Sequence, residues 1–437
     1  MNYKIISVIV LFALALFPQI SISQTTLSFE QAVEILLKNN YSISVFSDQV
    51  QISKNNTTRG NAGFLPSVSI NSNGSFNNNN TYLKFSSGSD IDRKGANSNS
   101  FNTGIGLGWT VFDGMKMFAS YEKLKSIQNQ QFLNLKIEIE NNIVNLASIY
   151  FDIVKQQKLI DATNQSIKLN DERIKITQTK LNIGSGSKLE LLQAKADLNT
   201  QKSNLLKYQT TLENLKASLN QLLSYPVNNI IDVLDTIPLN PNFSYDELKK
   251  TITYNNSQVL FAKNNIDIAK NLLKESKSSM YPTIGLNANY NFINSKNQVG
   301  LVLLNQTLGF NAGFTASWKL FDGYKNRSLI SNSRIALHQN QTLFTQSTSI
   351  VETALYKAWV EYSNSLKALK LEEENIEIVS ENIEIAMERY RIGSSTSIEL
   401  MTAQKSFEDG IARLISARYF TKMAEIELMR LNGDLIK

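Results

Sequence analysis

Two copies of one short stretch, Trp109-Thr110-Val111-Phe112-Asp113-Gly114 and Trp318-Lys319-Leu320-Phe321-Asp322-Gly323, stand 209 positions apart, and the spacing recurs far downstream. Ile183-Gly184-Ser185 is answered by Ile392-Gly393-Ser394, and Glu190-Leu191 by Glu399-Leu400, at the same 209 positions. Upstream the spacing is 216, matching Ser28-Phe29-Glu30 to Ser244-Tyr245-Asp246 and Pro66 to Pro282. The difference falls between each proline and its tryptophan, where a loop absorbs it. A repeat of this length restricts the chain to one structure built from two similar halves, whatever its 437 residues suggest about domain count.

Composition removes several functions. There is no Cys and a single His, His338, so thiol catalysis, disulfides, Cys-rich metal sites and most His-dependent chemistry are excluded, and no cofactor is expected. The net charge of +6 is mild and unclustered, which argues against a nucleic-acid partner. At the N-terminus, Lys4 precedes a short apolar core from Ile5 to Phe17, and Ser21-Ile22-Ser23 places small residues before a cleavage point. Residues 1–23 therefore read as a signal peptide cleaved after Ser23, too short to span a bilayer. With no Cys near that point, a lipidated N-terminus is excluded. The expectation is an exported protein that enters a membrane, if at all, as strands.

Ser28 with Gln31 reads as a capping box, and Ser244 with Glu247 has the same form. A helical pattern follows in each half. Four segments then alternate with period two, over about 66–78, 100–112, 282–293 and 307–321. In the first, Val68, Ile70 and Phe76 alternate with Ser67, Ser69, Asn71, Asn73 and Ser75; in the fourth, Leu308, Phe310, Phe314, Trp318 and Leu320 alternate with Asn311, Thr315, Ser317 and Lys319. These lengths suit tilted strands crossing a bilayer, and the Asn/Ser/Thr/Gly faces suit a wet lumen. Gly104-Ile105-Gly106-Leu107-Gly108 lies within a strand pattern and lacks the spacing of a nucleotide loop. Asp113 and Asp322 read as N-caps where strand gives way to helix.

Each cap opens a very long helix, 114–182 and 323–391. A 4–3 seam runs through Ile139, Ile143, Leu146, Tyr150, Ile153, Ile160, Ile167, Ile174 and Leu181, and in the second copy through Leu355, Trp359, Tyr362, Leu366, Leu369, Ile376, Ile383 and Tyr390. At 1.5 Å per residue each helix is on the order of 100 Å long, too long for one compact globule. Tight turns at Gly184-Ser185-Gly186 and Gly393-Ser394-Ser395 lead into returning helices, 188–224 and 396–432. The first carries Leu191, Leu198, Leu205, Leu212 and Leu219 every seventh residue; in the second, Thr421 interrupts the register. Pro226, Pro238 and Pro241 mark 226–243 as the linker between repeats 24–225 and 244–437.

Four strands cannot close a spanning barrel, and an open edge in lipid is not tolerated, so the chain must assemble around an axis. Three copies would give about twelve strands.

The duplicated halves, Trp-x-x-Phe-Asp-Gly at both junctions, and the paired turns each running into Glu-Leu and Ala194 or Ala403 resemble the TolC-type outer membrane efflux proteins over essentially the whole mature chain. The resemblance implies a mostly α protein with β-strands. It further implies a homotrimer whose twelve-stranded outer membrane β-barrel continues into a periplasmic α-helical barrel. Its role would be passive conduction from a periplasmic adaptor and an inner-membrane transporter to the exterior. The turns Ile183, Gly184, Ser185, Gly186 and Ile392, Gly393, Ser394, Ser395 would dock the adaptor. Glu381, Glu384 and Glu388, by helical spacing and nearness to the second turn, are candidate gate residues. Trp109, Phe112, Asp113, Gly114 and Trp318, Phe321, Asp322, Gly323 are the strand-to-helix junctions. An exported fibrous adhesin explains the heptads but not the four strands, and an exported enzyme lacks a catalytic set.

Overall fold

The computed structural model describes residues 26–240 and 243–436, so the expected signal peptide lies outside the described residues. The chain is mostly helical with four strands: α1 (Phe29–Asn39), α2 (Tyr41–Asn56), β1 (Ser67–Lys84), β2 (Asp90–Phe112), α3 (Lys116–Asn182), α4 (Lys188–Leu222), α5 (Tyr245–Asn255), α6 (Ser257–Ser278), β3 (Thr283–Asn297), β4 (Leu304–Ser317), α7 (Lys325–Arg391) and α8 (Ser397–Asn432). The two halves repeat one succession, and α3 and α7 each run for 67 residues.

Local chemistry sets several ends. Ser28 and Gln31 form the capping box at α1, with both reciprocal bonds present. Ser244 makes no side-chain cap bond at α5, so the matching sequence does not give a matching cap there. Extended backbone at Asn40 and Asn256 divides α1 from α2 and α5 from α6.

The described residues fall into two compact units. One holds the four strands with Ser42–Glu140, Ser244–Lys357 and the residues from Met429; the other holds the residues up to Tyr41, Asn141–Phe243 and Ala358–Leu428.

In the strand unit, one antiparallel sheet runs in the order β1-β2-β3-β4. Its middle ladder, β2 with β3, joins the two halves of the sequence. Across the sheet Ser69 faces Gly106, Gly106 faces Asn289 and Asn289 faces Asn311, so one face is a series of small polar rungs. The other face carries Val68, Ile70, Ile105, Leu107, Tyr290, Phe310 and Phe314, all exposed. The β2 glycines make room for asparagines: a Cβ on Gly104 would lie 2.0 Å from Asn291 Oδ1 and 2.9 Å from the Tyr290 carbonyl. β1 and β2 run to Lys84 and from Asp90, beyond the alternating segments, because the Asn-rich stretch pairs with its own hairpin partner. The register shifts there between Asn79 and Thr81, opposite Gly95 at φ +67°. β4 stops at Ser317 rather than 321, because β3 begins at Thr283 and leaves Trp318, Lys319 and Leu320 no ladder partner.

In the helical unit the expected seam of α3 holds only at first. Leu146, Tyr150 and Ile153 are buried, but beyond them the fully buried line is Thr163, Ser166, Asn170, Arg173 and Thr177. Ile160, Ile167, Ile174 and Leu181 are only half-buried beside it. Contacts from that line reach two elements, Asp197 on α4 and Tyr390 on α7, so the residues between the two apolar rows are the ones enclosed. In the second copy Leu355, Tyr362, Leu369, Ile383 and Tyr390 are buried as expected, whereas Trp359, Leu366 and Ile376 are half-buried. On α4, Leu191, Leu198 and Leu219 are buried and Leu205 and Leu212 half-buried; on α8, Thr421 takes a buried place.

Candidate functional site

The two turns between long and returning helices have the same geometry. Gly184 and Gly393 both sit at φ +81°, with nothing within 4 Å of a Cβ. Ser185 N–H donates to Lys180 O at 2.9 Å and Gly184 N–H to Leu181 O at 3.1 Å. The corresponding bonds, Ser394 to Arg389 and Gly393 to Tyr390, measure 2.9 and 3.2 Å. This is the Schellman arrangement, in which a left-handed residue after the helix satisfies its last carbonyls, and glycine adopts it without a Cβ clash. The returning helices are capped by Ser187, which accepts from Leu189 N–H at 3.1 Å, and by Thr396, which accepts from Glu399 N–H at 3.2 Å. Fixed this way, the turns present apolar side chains outward: Ile183 is 73% exposed, Leu189 74%, Ile392 76% and Ile398 70%. Gly186 is packed closely, its Cβ position 2.9 Å from Leu181 N, while Ser395 Oγ is buried without a partner.

The two turns share one packed neighbourhood. Ile383, Met387, Tyr390, Leu400 and Ala403 form a buried apolar cluster against Leu169, Ile176 and Phe407. Tyr390 ties it to the first hairpin. Its hydroxyl lies 3.2 Å from Thr177 Oγ1 and 3.5 Å from Glu190 Oε2, its ring carries Lys180 Nζ at 3.8 Å, and its carbonyl accepts from the same amine. Close by, Arg173 is 1% exposed and donates to Asp197 Oδ2 at 2.9 Å, while its Nε and Nη2 have no partner among the described residues.

Glu381, Glu384 and Glu388 lie on the exposed side of α7, opposite Ile383, Met387 and Tyr390. Glu388 pairs with Arg391 at 2.9 Å. Glu408 on α8 is different. Burial pushes its carboxyl above the usual range, against hydrogen bonds from Gln404 and Ser166 that lower it.

At the strand-to-helix junctions, the helices begin at Lys116 and Lys325, later than 114 and 323, because two left-handed residues intervene: Gly114 at φ +70° with Met115 at +70°, and Gly323 at +69° with Tyr324 at +64°. Met115 and Tyr324 therefore occupy the cap positions. Asp113 and Asp322 still satisfy the helix starts from further back, accepting from Met117 N–H at 3.0 Å and Asn326 N–H at 2.9 Å. Trp109 Nε1 donates to Phe64 O at 2.9 Å and Trp318 Nε1 to Met280 O at 3.1 Å, so each tryptophan pins the chain entering its hairpin. Phe112 ends β2 opposite Ile284; Phe321 is exposed and meets Tyr324 edge-on.

Two residues of consequence escape the sequence reading. Asn40 Nδ2 donates to Leu222 O and Asn256 Nδ2 to Leu431 O, both at 2.9 Å. The asparagines are 216 positions apart and the leucines 209, matching the two spacings of the repeat. That coincidence is the signal that marks them.

Comparison with known proteins places the chain. The family model described as outer membrane efflux protein matches residues 32–224 and 250–434. The chain is 18% identical over 337 residues to the outer membrane efflux protein BepC of Brucella suis, covering 76% of this chain and 72% of that one. To the outer membrane protein TolC of Escherichia coli it is 20% identical over 364 residues, covering 79% and 71%. Its fold matches the outer-membrane channel OprN with a TM-score of 0.77 at 16% identity, covering 93% and 89% of the two chains. It matches VceC from Vibrio cholerae with a TM-score of 0.77 at 12% identity, covering 93% and 96%. The chain belongs to the outer membrane efflux protein family.

Proposed function

We propose that the protein is the outer membrane exit duct of a tripartite efflux or type I secretion machine, a passive conduit assembled from three copies. The observation that carries the reading is the sheet: one mainly apolar face that is largely exposed, one polar face, and two edges, β1 and β4, without partners among the described residues. In lipid such a sheet is tolerated only in a closed ring, and β4 of one copy beside β1 of the next keeps the antiparallel order. Three sheets of four supply about twelve strands, within the range of spanning barrels. Among the described residues no helix is long and apolar enough to cross a membrane.

The long helices would continue the duct on the periplasmic side. The half-buried rows Ile160-Ile167-Ile174 and Leu205-Leu212 supply apolar surface for neighbouring copies. The turns at Ile183–Gly186 and Ile392–Ser395, rigid at the backbone and apolar outside, suit docking of a periplasmic adaptor, through which an inner-membrane transporter couples its energy. Glu381, Glu384 and Glu388, paired among the described residues with no cation except Arg391, would ring the duct near the second turn. Residues 1–23 would direct export and be removed. The fibrous adhesin reading has no use for a sheet with one lipid-matched face.

Light scattering of the detergent-solubilised particle, with the detergent subtracted, tests the assembly. A mass of three chains is expected; a folded single chain refutes the closed ring. Single-channel recording of Glu384→Ala tests the gate, and unchanged conductance with unchanged cation block removes those glutamates from it.

A further inference from the structure

We propose that Lys116, Lys319 and Lys325 form a cationic collar at the strand-to-helix junctions, and that this collar makes the passage through the junctions favour anionic solutes. The inference rests on the exit-duct reading, since only a closed ring turns the sheet's polar face into a lumen.

Along the rungs shared by all four strands the polar face carries no formal charge, and Arg93 faces Thr81 only further out on the first hairpin. From Ser67, Gly108, Asn287 and Gly313 the rungs climb through Ser69, Gly106, Asn289 and Asn311, then Asn71, Gly104, Asn291 and Gly309, to Ser75, Ser100, Ser295 and Asn305. Such a wall attracts neither sign of ion. Charge enters at the junction. Lys319, two residues past the end of β4, and Lys116 border one cleft of about 670 Å³ together with Thr110, Asp113, Thr283 and Ser317. Among the described residues no ion pair or hydrogen bond engages the amine of Lys116, Lys319 or Lys325. Asp113, which lines the same cleft, and Asp322 accept from Met117 N–H and Asn326 N–H, so each copy sets three amines against two carboxylates at its junctions.

The repeat supplies an independent observation. Lys116 and Lys325 stand 209 positions apart, each the first residue of a 67-residue helix with no acidic residue in its first turn. A cation at a helix N-terminus opposes the helix dipole, so this placement runs against local stability in both halves. A placement kept twice against local preference points to a task outside the helix. In three copies nine amines against six carboxylates would leave a cationic excess where a neutral strand-lined section meets the helices. A ring of one sign in a narrow aqueous passage raises the local concentration of the opposite ion. The solutes favoured at this passage are organic anions: carboxylates, sulfonates or phosphates.

The test is the reversal potential of the full chain in planar bilayers under a potassium chloride gradient, in a Glu381→Gln/Glu384→Gln/Glu388→Gln background that removes the acidic ring. Chloride should permeate better than potassium. Adding Lys116→Gln, Lys319→Gln and Lys325→Gln should lower the chloride-to-potassium ratio about three-fold or more. If the combined variant does not fold, Lys319→Gln alone, in an unpaired stretch, should give part of the shift. A ratio at or below one before the lysines are changed, or one they do not move, overturns the collar. A preparation that assembles but opens no pores refutes the duct reading, and the collar with it.

Discussion

Replacing Asn256 with alanine removes three hydrogen bonds at once. Its Oδ1 accepts from Gln258 N–H at 3.0 Å and Val259 N–H at 3.1 Å, capping α6, and its Nδ2 donates to Leu431 O in the last turn of α8 at 2.9 Å. The residue is 2% exposed, so water does not replace these partners. Loss of the cap costs about 1 kcal/mol. Leaving the Leu431 carbonyl buried and unmet costs about 1–3 kcal/mol more. Asn256→Ala should therefore destabilise by about 2–4 kcal/mol. Asn256→Ser keeps a capping oxygen but cannot span to α8, so it should lose only the second part. The assay is urea unfolding followed by far-UV circular dichroism, at fixed detergent and protein concentration because assembly ties stability to concentration. Serine matching wild type, or alanine falling within about 0.5 kcal/mol of it, would refute the double role, since a surface substitution costs no more than that.

Ser224 holds a left-handed φ of 59° and buries a hydroxyl without a partner, whereas its repeat counterpart is Gly433 at 74°. Ser224→Gly should stabilise by about 1 kcal/mol, and Gly433→Ala, whose Cβ would lie 2.5 Å from Asn255 O, should do the reverse; shifts in the urea midpoint report both. Burial, opposed by the Ser257 hydroxyl at 2.7 Å, holds the Glu140 carboxyl above its ordinary value of 4.5. A raised carboxyl contributes stability that is present below that ordinary value and lost as pH rises through the folded one. Glu140→Gln should therefore melt higher than wild type at pH 8 and nearly with it at pH 4, and parallel melting curves across that range would disprove the linkage. Gly104→Ala meets the fixed Tyr290 carbonyl at 2.9 Å, while Gly106→Ala meets only Asn289 Oδ1, a movable group, at 2.7 Å. The first should cost about 1–3 kcal/mol and the second less; equal loss of heat resistance on gels would count against the asparagine seats.

What the sequence shows of this protein is what short-range physics controls. Period-two alternation locates the strands, the glycines at 184 and 393 locate the Schellman turns, and the duplicated spacing identifies the halves. Properties set by distant neighbours are harder to see. The apolar row Ile160-Ile167-Ile174 looks like the core of α3, yet α4 and α7 together enclose the polar row beside it, from Thr163 to Thr177. Matching Ser28 and Ser244 motifs give one cap and not the other, because a capping box is a geometric outcome and not a composition. At the candidate site, the glycines and isoleucines of the turns are legible because a helix end demands them locally. The role of Tyr390 is not: its Thr177, Lys180 and Glu190 partners lie about two hundred residues away and converge only through packing.

The β2–β3 ladder has a consequence for how the chain is made. Ser98 pairs with Asn297 and Phe112 with Ile284, so the sheet's central seam closes over roughly two hundred residues of intervening chain. The first hairpin is synthesised long before its partner exists, and until then it exposes an apolar face and two unpaired edges. Such a ladder forms slowly, and its waiting half is prone to pairing with the wrong strand. A holding factor that shields the β1–β2 hairpin until β3 arrives would therefore govern yield more than native-state stability does, and truncation after the first repeat should aggregate rather than fold.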